Sequence, residues 1–380
     1  MKKHRLFFAP GMFGFGRLAS YDYFCHLERA LEAEVKASGD EAVSYVVDVP
    51  PTASVRKRAG RLAELVHQAL TSDDTPGPVH LIGHSTGGLD ARLVASPSAR
   101  LPVAGDKLAW LPRLASVTTI NTPHFGTPLA NFFATVSGQR MLYAVSALTF
   151  IALSAGAPPL AAASALVMAV GRLDRAVGLE LKVFDRAVDS LLRALDDARS
   201  QEVRNYLDAI KSDQGAVLQL SPEAMDLFQA GVEDRPGTHY QSVVTMAPPP
   251  SPMRWARSLT HPWRALSMSL FASLHSLTAR LDPNYPCAAT DTATEAEATL
   301  LRAFGRQVGA RSNDGVVPLR SQIWGEIAWA GFGDHLDVLG HFDGRGSPHV
   351  DWLTSGSSFD ERQFEAMTKA IGRGITRSKI

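Results

Sequence analysis

The stretch PVHLIGHSTGGLDAR (Pro78–Arg92) joins a short apolar run to a glycine-rich turn and then to helix-forming residues. The apolar run predicts a buried strand that passes directly into a helix. At the turn, Gly83 and Gly87 flank Ser85 in the pattern G-x-S-x-G, and glycine fits so tight a bend because it has no Cβ atom. A serine held there projects its hydroxyl above the edge of the sheet, which predicts a nucleophile. The alternative interpretation is a glycine-rich turn without chemistry.

Two backbone amides are predicted to stabilise negative charge beside that serine. The N–H of Thr86 begins the predicted helix and faces the place where an oxyanion would develop. A second glycine-rich loop, PGMFGFG (Pro10–Gly16), follows a predicted first strand. Because glycine allows close approach of the backbone, the N–H of Met12 is the predicted second donor. In the alternative interpretation, these glycines only turn the chain.

Candidates for an acid and a base follow Ser85 in the order serine, acid, histidine. Asp314 lies in SNDGVVP, a tight turn that can hold a carboxylate at the mouth of a sheet. His335, in GDHLDVLGHF, is the predicted general base because it follows Asp314 by about one loop and one strand. His341 and His349 remain alternatives for the base, and Asp314 has the alternative of an ordinary turn aspartate.

Strand and helix signals alternate along the chain, which predicts an α/β fold with a mostly parallel sheet covered by helices on both faces. The predicted strands after the first are Val43–Val49, the elbow strand before Ser85, Val117–Ile120, Tyr240–Met246 and Gln322–Ala330. The predicted helices include Ser54–Leu70, Leu173–Leu207 and Phe359–Ile375.

Several ordered motifs resemble those of the bacterial true lipases of the Pseudomonas and Burkholderia type and of their esterase relatives in the α/β-hydrolase superfamily. The segments that carry the resemblance are PGMFGFG, GHSTGG, TTINTPHFGTPLANF (Thr118–Phe132), NDGVVP and DHLD, with LSPEAMDLF (Leu220–Phe228) as a weaker match. Together they span residues 4–135 and 215–345. The resemblance implies an α/β-hydrolase fold with an inserted helical cap or lid, and a serine carboxylic-ester hydrolase that forms an acyl-enzyme on Ser85.

Two positions depart from the family's pattern. Pro10 stands where the family usually has a histidine, which leaves the backbone donor of the oxyanion loop intact. The family typically holds calcium near its catalytic histidine, and Asp337 resembles one of those ligands, whereas His341 stands where an amide oxygen is expected. Since calcium prefers oxygen ligands, two interpretations of Asp337 stay open, a calcium ligand or a support for its loop. The resemblance implies no required cofactor.

Other functions are compatible with the same motifs. An acyltransferase or a thioesterase would use the same triad with a different acceptor or leaving group. A non-catalytic binding protein or chaperone would keep the fold and lose a triad member, but Ser85, Asp314 and His335 are all present.

The length of 380 residues, with 45% hydrophobic residues, predicts one domain over 1–380 with insertions. A helical cap or lid is expected at 136–212 and a second insertion at 247–290. Residues 141–171 carry no charge and are divided by two prolines. Three interpretations stay open: a transmembrane hairpin, for which the halves are short, core helices, or a lid over an acyl cleft that touches a lipid interface transiently.

The 38 acidic and 38 basic residues balance, which excludes a strongly basic nucleic-acid surface and suits a neutral small-molecule ester or lipid.

Cys25 and Cys287 are too few for a disulfide framework, and whether they pair stays open. The apolar run after Arg5 ends at Pro10 without a cleavage site, so the default expectation is the cytoplasm, with secretion after leader removal as the alternative. The oligomeric state is left open.

Overall fold

Six strands of the described chain form one sheet in which every neighbouring pair is parallel. The computed structural model describes residues 1–12, 17–18, 21–73, 75–135, 138–139, 141–143, 145–146, 192–193, 197–251, 262–289, 294–342, 351 and 353–378. The strands are β1 (Lys3–Ala9), β2 (Arg17–Leu18), β3 (Tyr21–Asp22), β4 (Glu41–Val46), β5 (Val79–His84), β6 (Leu114–Ile120), β7 (His239–Met246) and β8 (Glu326–Phe332). The sheet has the order β4-β1-β5-β6-β7-β8, and β2 and β3 form a separate antiparallel pair.

Helices connect the strands and cover both faces of the sheet. They are α1 (Cys25–Ala37), α2 (Val55–Ser72), α3 (Thr86–Ala95), α4 (Pro128–Phe133), α5 (Asp197–Ser212), α6 (Gly215–Gln219), α7 (Pro222–Gly231), α8 (Pro262–Thr278), α9 (Thr294–Phe304) and α10 (Glu361–Arg377). Because side chains alternate along a strand, Phe8 packs with Leu31 of α1 and Met367 of α10, whereas Phe7 packs with Leu62 of α2 on the opposite face. All residues of β5 are buried, as expected for a central parallel strand.

The structure confirms the predicted alternation of strands and helices and corrects one strand. The prediction of a strand over Gln322–Ala330 is wrong at its start, because Leu319–Gln322 forms a 3-10 turn and β8 begins at Glu326. Gln322 is buried, and its side-chain amide bonds both the backbone N–H and the backbone carbonyl of Thr245 in β7, at 2.8 and 3.0 Å. Gln322 is therefore held beside the end of β7, whereas β8 begins opposite Gln241 near the start of β7, so the chain must run back before the strand starts.

The predicted insertions fall partly on described residues. Helix α5 lies inside 136–212, but most of that range, including 147–191 and so the first part of the predicted helix at 173–207, lies outside the described residues. Helix α8 lies inside 247–290. Cys25 and Cys287 are not joined by a disulfide. Across the described ranges, no helix combines the length and the hydropathy that a membrane span requires.

Candidate active site

Ser85 occupies a strained turn between β5 and α3. Its backbone has φ 54° and ψ −126°, a region that residues with a side chain rarely adopt. The turn is tight, because a Cβ atom on Gly83 would lie 2.2 Å from the backbone of Gly87 and one on Gly87 would lie 2.0 Å from the Ala9 carbonyl oxygen. The Ser85 N–H donates to the Ile120 carbonyl at 2.8 Å. The sheet therefore holds the serine at the carboxyl end of β5.

Asp314 and His335 form a buried hydrogen-bonded pair. The Oδ2 atom of Asp314 lies 2.7 Å from Nδ1 of His335, and both side chains are at most 2% exposed. The other carboxylate oxygen, Oδ1, accepts from the backbone N–H groups of Val316 at 2.8 Å and Val317 at 2.7 Å. A carboxylate held at both oxygens cannot rotate freely, so it fixes the orientation of the imidazole.

The second ring nitrogen of His335, Nε2, is the candidate proton acceptor. Nε2 is buried and has no hydrogen-bond partner in the described part of the chain. The ring lies beside the elbow, with its centroid 4.8 Å from that of His84, the residue that precedes Ser85. A buried polar atom without a partner is uncommon in a native protein, and catalytic hydrogen bonds often close only when substrate is bound. This nitrogen is thus available to accept a proton.

The loop after β1 runs directly past the serine. A Cβ atom on Gly11 would lie 2.8 Å from the Cβ atom of Ser85 and 3.3 Å from its Oγ atom. Met12 follows on this loop, and Thr86 is the first residue of α3. Both predicted oxyanion donors therefore belong to segments that adjoin Ser85.

A buried ion pair that sequence reasoning missed supports this loop. The guanidinium of Arg58 contacts Oδ2 of Asp90 at 2.8 Å and donates to the carbonyls of Pro51, at 2.9 Å, and Pro10. Asp90 lies on α3, and Pro10 precedes Gly11. Burial raises the pKa of Asp90 to about 6, and the Arg58 charge opposes that rise. No local pattern pairs residues 58 and 90.

The loop around Asp337 is held by its own hydrogen bonds. Its Oδ2 atom accepts from the Asp334 N–H at 2.8 Å and from the Ser357 hydroxyl at 2.7 Å. Burial raises the pKa of Asp337 to about 6. In the described residues, no three His, Cys, Asp or Glu side chains are grouped to hold a metal ion.

One of the two alternative histidines lies within the described residues. His341 is buried with its ring centroid 5.9 Å from that of His26, and the acidic partner at the site belongs to His335. His349 lies outside the described residues.

Two curated proteins resemble part of the sequence. A triacylglycerol lipase of Vibrio cholerae is 35% identical over 121 residues, which cover 32% of this chain and 33% of the relative. A triacylglycerol lipase of Pseudomonas fragi is 31% identical over 131 residues, which cover 34% of this chain and 38% of the relative. The matches thus span little more than a third of these relatives. No family model matches the chain.

Two solved structures resemble the whole fold. EstA from Clostridium botulinum has a TM-score of 0.52 and 20% identity, with 96% of this chain and 87% of that chain covered. Lipase 1 from Pelosinus fermentans has a TM-score of 0.53 and 16% identity, with both chains covered completely. These likenesses confirm the predicted fold class, a mostly parallel sheet flanked by helices.

Proposed function

We propose that this chain, an α/β-hydrolase of the lipase and esterase group, hydrolyses carboxylic esters through an acyl-enzyme on Ser85. One observation carries the proposal. His335 is bonded to Asp314 through Nδ1 at 2.7 Å and leaves Nε2 without a partner among the described residues, beside the strained elbow of Ser85. A serine, an oriented base and an acid in that relation form a nucleophilic site.

In the first half of the reaction, Nε2 of His335 takes the Ser85 proton as Oγ attacks the ester carbonyl carbon. Asp314 stabilises the imidazolium that forms, and the carbonyl π electrons move onto the carbonyl oxygen. The N–H groups of Met12 and Thr86 bind this oxyanion. A preorganised donor of this kind typically contributes about 100- to 1000-fold in turnover.

In the second half, the tetrahedral intermediate collapses and the bond to the leaving oxygen breaks. The alcohol departs with the proton from His335. Water then loses a proton to His335 and attacks the acyl-enzyme, and the acid leaves as Ser85 recovers its proton. The nucleophile, the base, its acid and the two oxyanion donors in this sequence are all residues of the chain.

The substrate class proposed is a neutral ester with an apolar acyl chain. The balanced charge of the sequence and the uncharged residues 141–171 support it. Those residues would form the cap over the acyl cleft and touch a lipid interface transiently.

The test compares wild type, Ser85→Ala and the matched control Ser116→Ala on p-nitrophenyl esters of increasing acyl length. We expect Ser85→Ala to lose about 10⁶-fold in kcat, while Ser116→Ala stays within about twofold of wild type. A chelator added to each assay is expected to leave the rate unchanged. Equal turnover by wild type and Ser85→Ala on every ester would reject the proposal.

A further inference from the structure

A buried chain of hydrogen bonds ends on the backbone carbonyl of His335. The hydroxyl of Tyr23 lies 2.8 Å from Nδ1 of His84, and Nε2 of His84 lies 2.8 Å from the carbonyl oxygen of His335. All three residues are buried. His84 ends β5 and is followed directly by Ser85.

The direction of each bond in this chain follows from its last acceptor. A carbonyl oxygen accepts and cannot donate, so Nε2 of His84 must carry the hydrogen. A neutral imidazole has one N–H group, so Nδ1 of His84 is the acceptor and Tyr23 must donate to it. The hydroxyl of Tyr23 thus selects the tautomer of His84 that bonds the His335 backbone.

His84 completes the set of contacts that hold His335. The His335 N–H donates to the Asp314 carbonyl at 3.1 Å, and the His335 ring bonds the Asp314 carboxylate at 2.7 Å. The carbonyl of His335 is bonded by His84. Since His84 is covalently joined to Ser85, this bond ties the segment of the base directly to the segment of the nucleophile.

His84 is neutral, so it does not oppose the positive charge that forms on His335. Burial, reinforced by the nearby His335, holds the pKa of His84 well below its usual value. The ring therefore stays neutral when His335 becomes an imidazolium 4.8 Å away. A cation at this distance would oppose that imidazolium.

We propose that Tyr23 and His84 are positioning residues that set the approach of His335 to Ser85. His84 holds the His335 carbonyl, and Tyr23 keeps His84 in the tautomer that can do so. The proposal rests on the proposed ester hydrolysis by Ser85. Displacing a catalytic group by about 1 Å can lower turnover about 100-fold, so a hydrogen bond that sets this distance has a measurable role.

Three variants remove these bonds in steps. His84→Leu removes both, and His84→Gln retains an amide donor that reaches the same carbonyl. Tyr23→Phe removes only the hydroxyl. The matched controls are His80→Leu and Tyr240→Phe. His80 is a second buried histidine of β5 with both ring nitrogens bonded, and the Tyr240 hydroxyl accepts a hydrogen bond from the Arg235 N–H at 2.8 Å.

We expect His84→Leu to lower kcat for a short p-nitrophenyl ester about 100-fold with KM within about twofold. His84→Gln is expected to recover about tenfold of that loss, and Tyr23→Phe to lower kcat about 2- to 10-fold, as one hydrogen bond predicts. Both controls are expected to keep the wild-type kcat, with thermal unfolding measured for every variant.

The outcomes separate this proposal from the proposed function. If hydrolysis by wild type depends on Ser85 but Tyr23→Phe and His84→Leu both keep the wild-type kcat, the positioning role is rejected and the hydrolase stands. If His84→Leu does not fold, Tyr23→Phe decides the question, because it keeps the aromatic ring and removes only the hydroxyl that bonds His84: an unchanged kcat rejects the role. If kcat of the Tyr23 and His84 variants falls no further than kcat of the two controls, the positioning role is also rejected. If wild type shows no hydrolysis that depends on Ser85, the proposed function itself fails.

Discussion

The two ends of the sheet both carry serine, histidine and aspartate. They differ in whether every histidine ring nitrogen has a hydrogen-bond partner. At the amino end, Oγ of Ser116 lies 2.7 Å from Nδ1 of His80, and Nε2 of His80 lies 2.9 Å from Nδ1 of His4. Nε2 of His4 lies 3.3 Å from Oδ2 of Asp40. Serine, histidines and aspartate thus form a chain in which every ring nitrogen has a partner.

At the carboxyl end, His335 has its acid but leaves Nε2 without a partner among the described residues. Ser85 lies in a strained turn with φ 54°, whereas Ser116 lies within the strand β6. Serine, histidine and aspartate in contact are therefore not enough to identify a reactive site. The unpaired nitrogen and the strained serine distinguish the carboxyl end, while complete pairing makes the amino end structural.

The largest contrast is expected from removing one histidine at each end. His335→Ala removes the base, so we expect kcat to fall about 10⁶-fold, as for other members of a triad that act as a unit. His80→Ala is expected to keep the wild-type kcat and to lose stability. Steady-state hydrolysis of one p-nitrophenyl ester by both variants checks this. Comparable losses of kcat would remove the distinction between the two ends.

The next contrast concerns the acids. Asp314→Asn places an amide group against Nδ1 of His335 and favours the wrong tautomer, so kcat is expected to fall about 10⁴-fold. Asp40→Asn changes a partly exposed carboxylate at the far end and is expected to leave kcat unchanged. The same assay measures both. A loss of less than about tenfold in Asp314→Asn would show that the carboxylate does not orient the base.

A smaller effect is expected on stability as a function of pH. Burial and the nearby His4 hold the pKa of His80 well below its usual value. Below about pH 6.5 the unfolded chain binds a proton at this histidine and the folded chain does not, so the stability contribution of neutral His80 is present above that pH and falls as the pH drops, by up to about 1.4 kcal/mol per unit.

His80→Leu lacks this proton-linked contribution. At pH 7.5 we expect it to lower the free energy of unfolding by about 1–3 kcal/mol, since His4 and Ser116 lose a buried partner. The difference from wild type should shrink as the pH falls to 5. Urea unfolding at several pH values measures it, and a constant difference across this range would contradict the expectation.

The smallest effect is expected from Ser116→Ala. It removes one buried hydrogen bond to His80, which predicts a loss of about 1 kcal/mol in the free energy of unfolding and an unchanged kcat. Urea unfolding at pH 7.5 is the measurement. A fall in kcat with an unchanged free energy of unfolding would mean that Ser116, at the amino end of the sheet, affects turnover at Ser85.

Local patterns predict the parts of this molecule that a few neighbouring residues determine. The strand, turn and helix around Ser85 lie within one short stretch, and the turn around Asp314 is determined by Asn313 and Gly315. The chain order also led to His335, which the structure places 2.7 Å from Asp314. The role of each residue in the reaction remains the proposal that the variants test.

The contacts that sequence reasoning missed join distant positions. His84 bonds a carbonyl 251 positions away, and His4 bonds His80 across 76 positions. Such pairs depend on which strands are neighbours and on their register, and neither is encoded in a local pattern. The late start of β8 has the same origin, because Gln322 is polar in the sequence but finds its partner in Thr245 of another strand.

The order of strands in the sheet has a consequence for synthesis on the ribosome. β4, β1, β5 and β6 are neighbours in the sheet, and all of them precede residue 121. The early part of the nascent chain therefore contains the central strands and Ser85, whereas Asp314 and His335 emerge only after nearly all other strands have been made. Domains generally complete folding only once their distant segments are available. The growing chain thus carries Ser85 before Asp314 and His335 have been made, and the proposed ester hydrolysis requires that both have emerged.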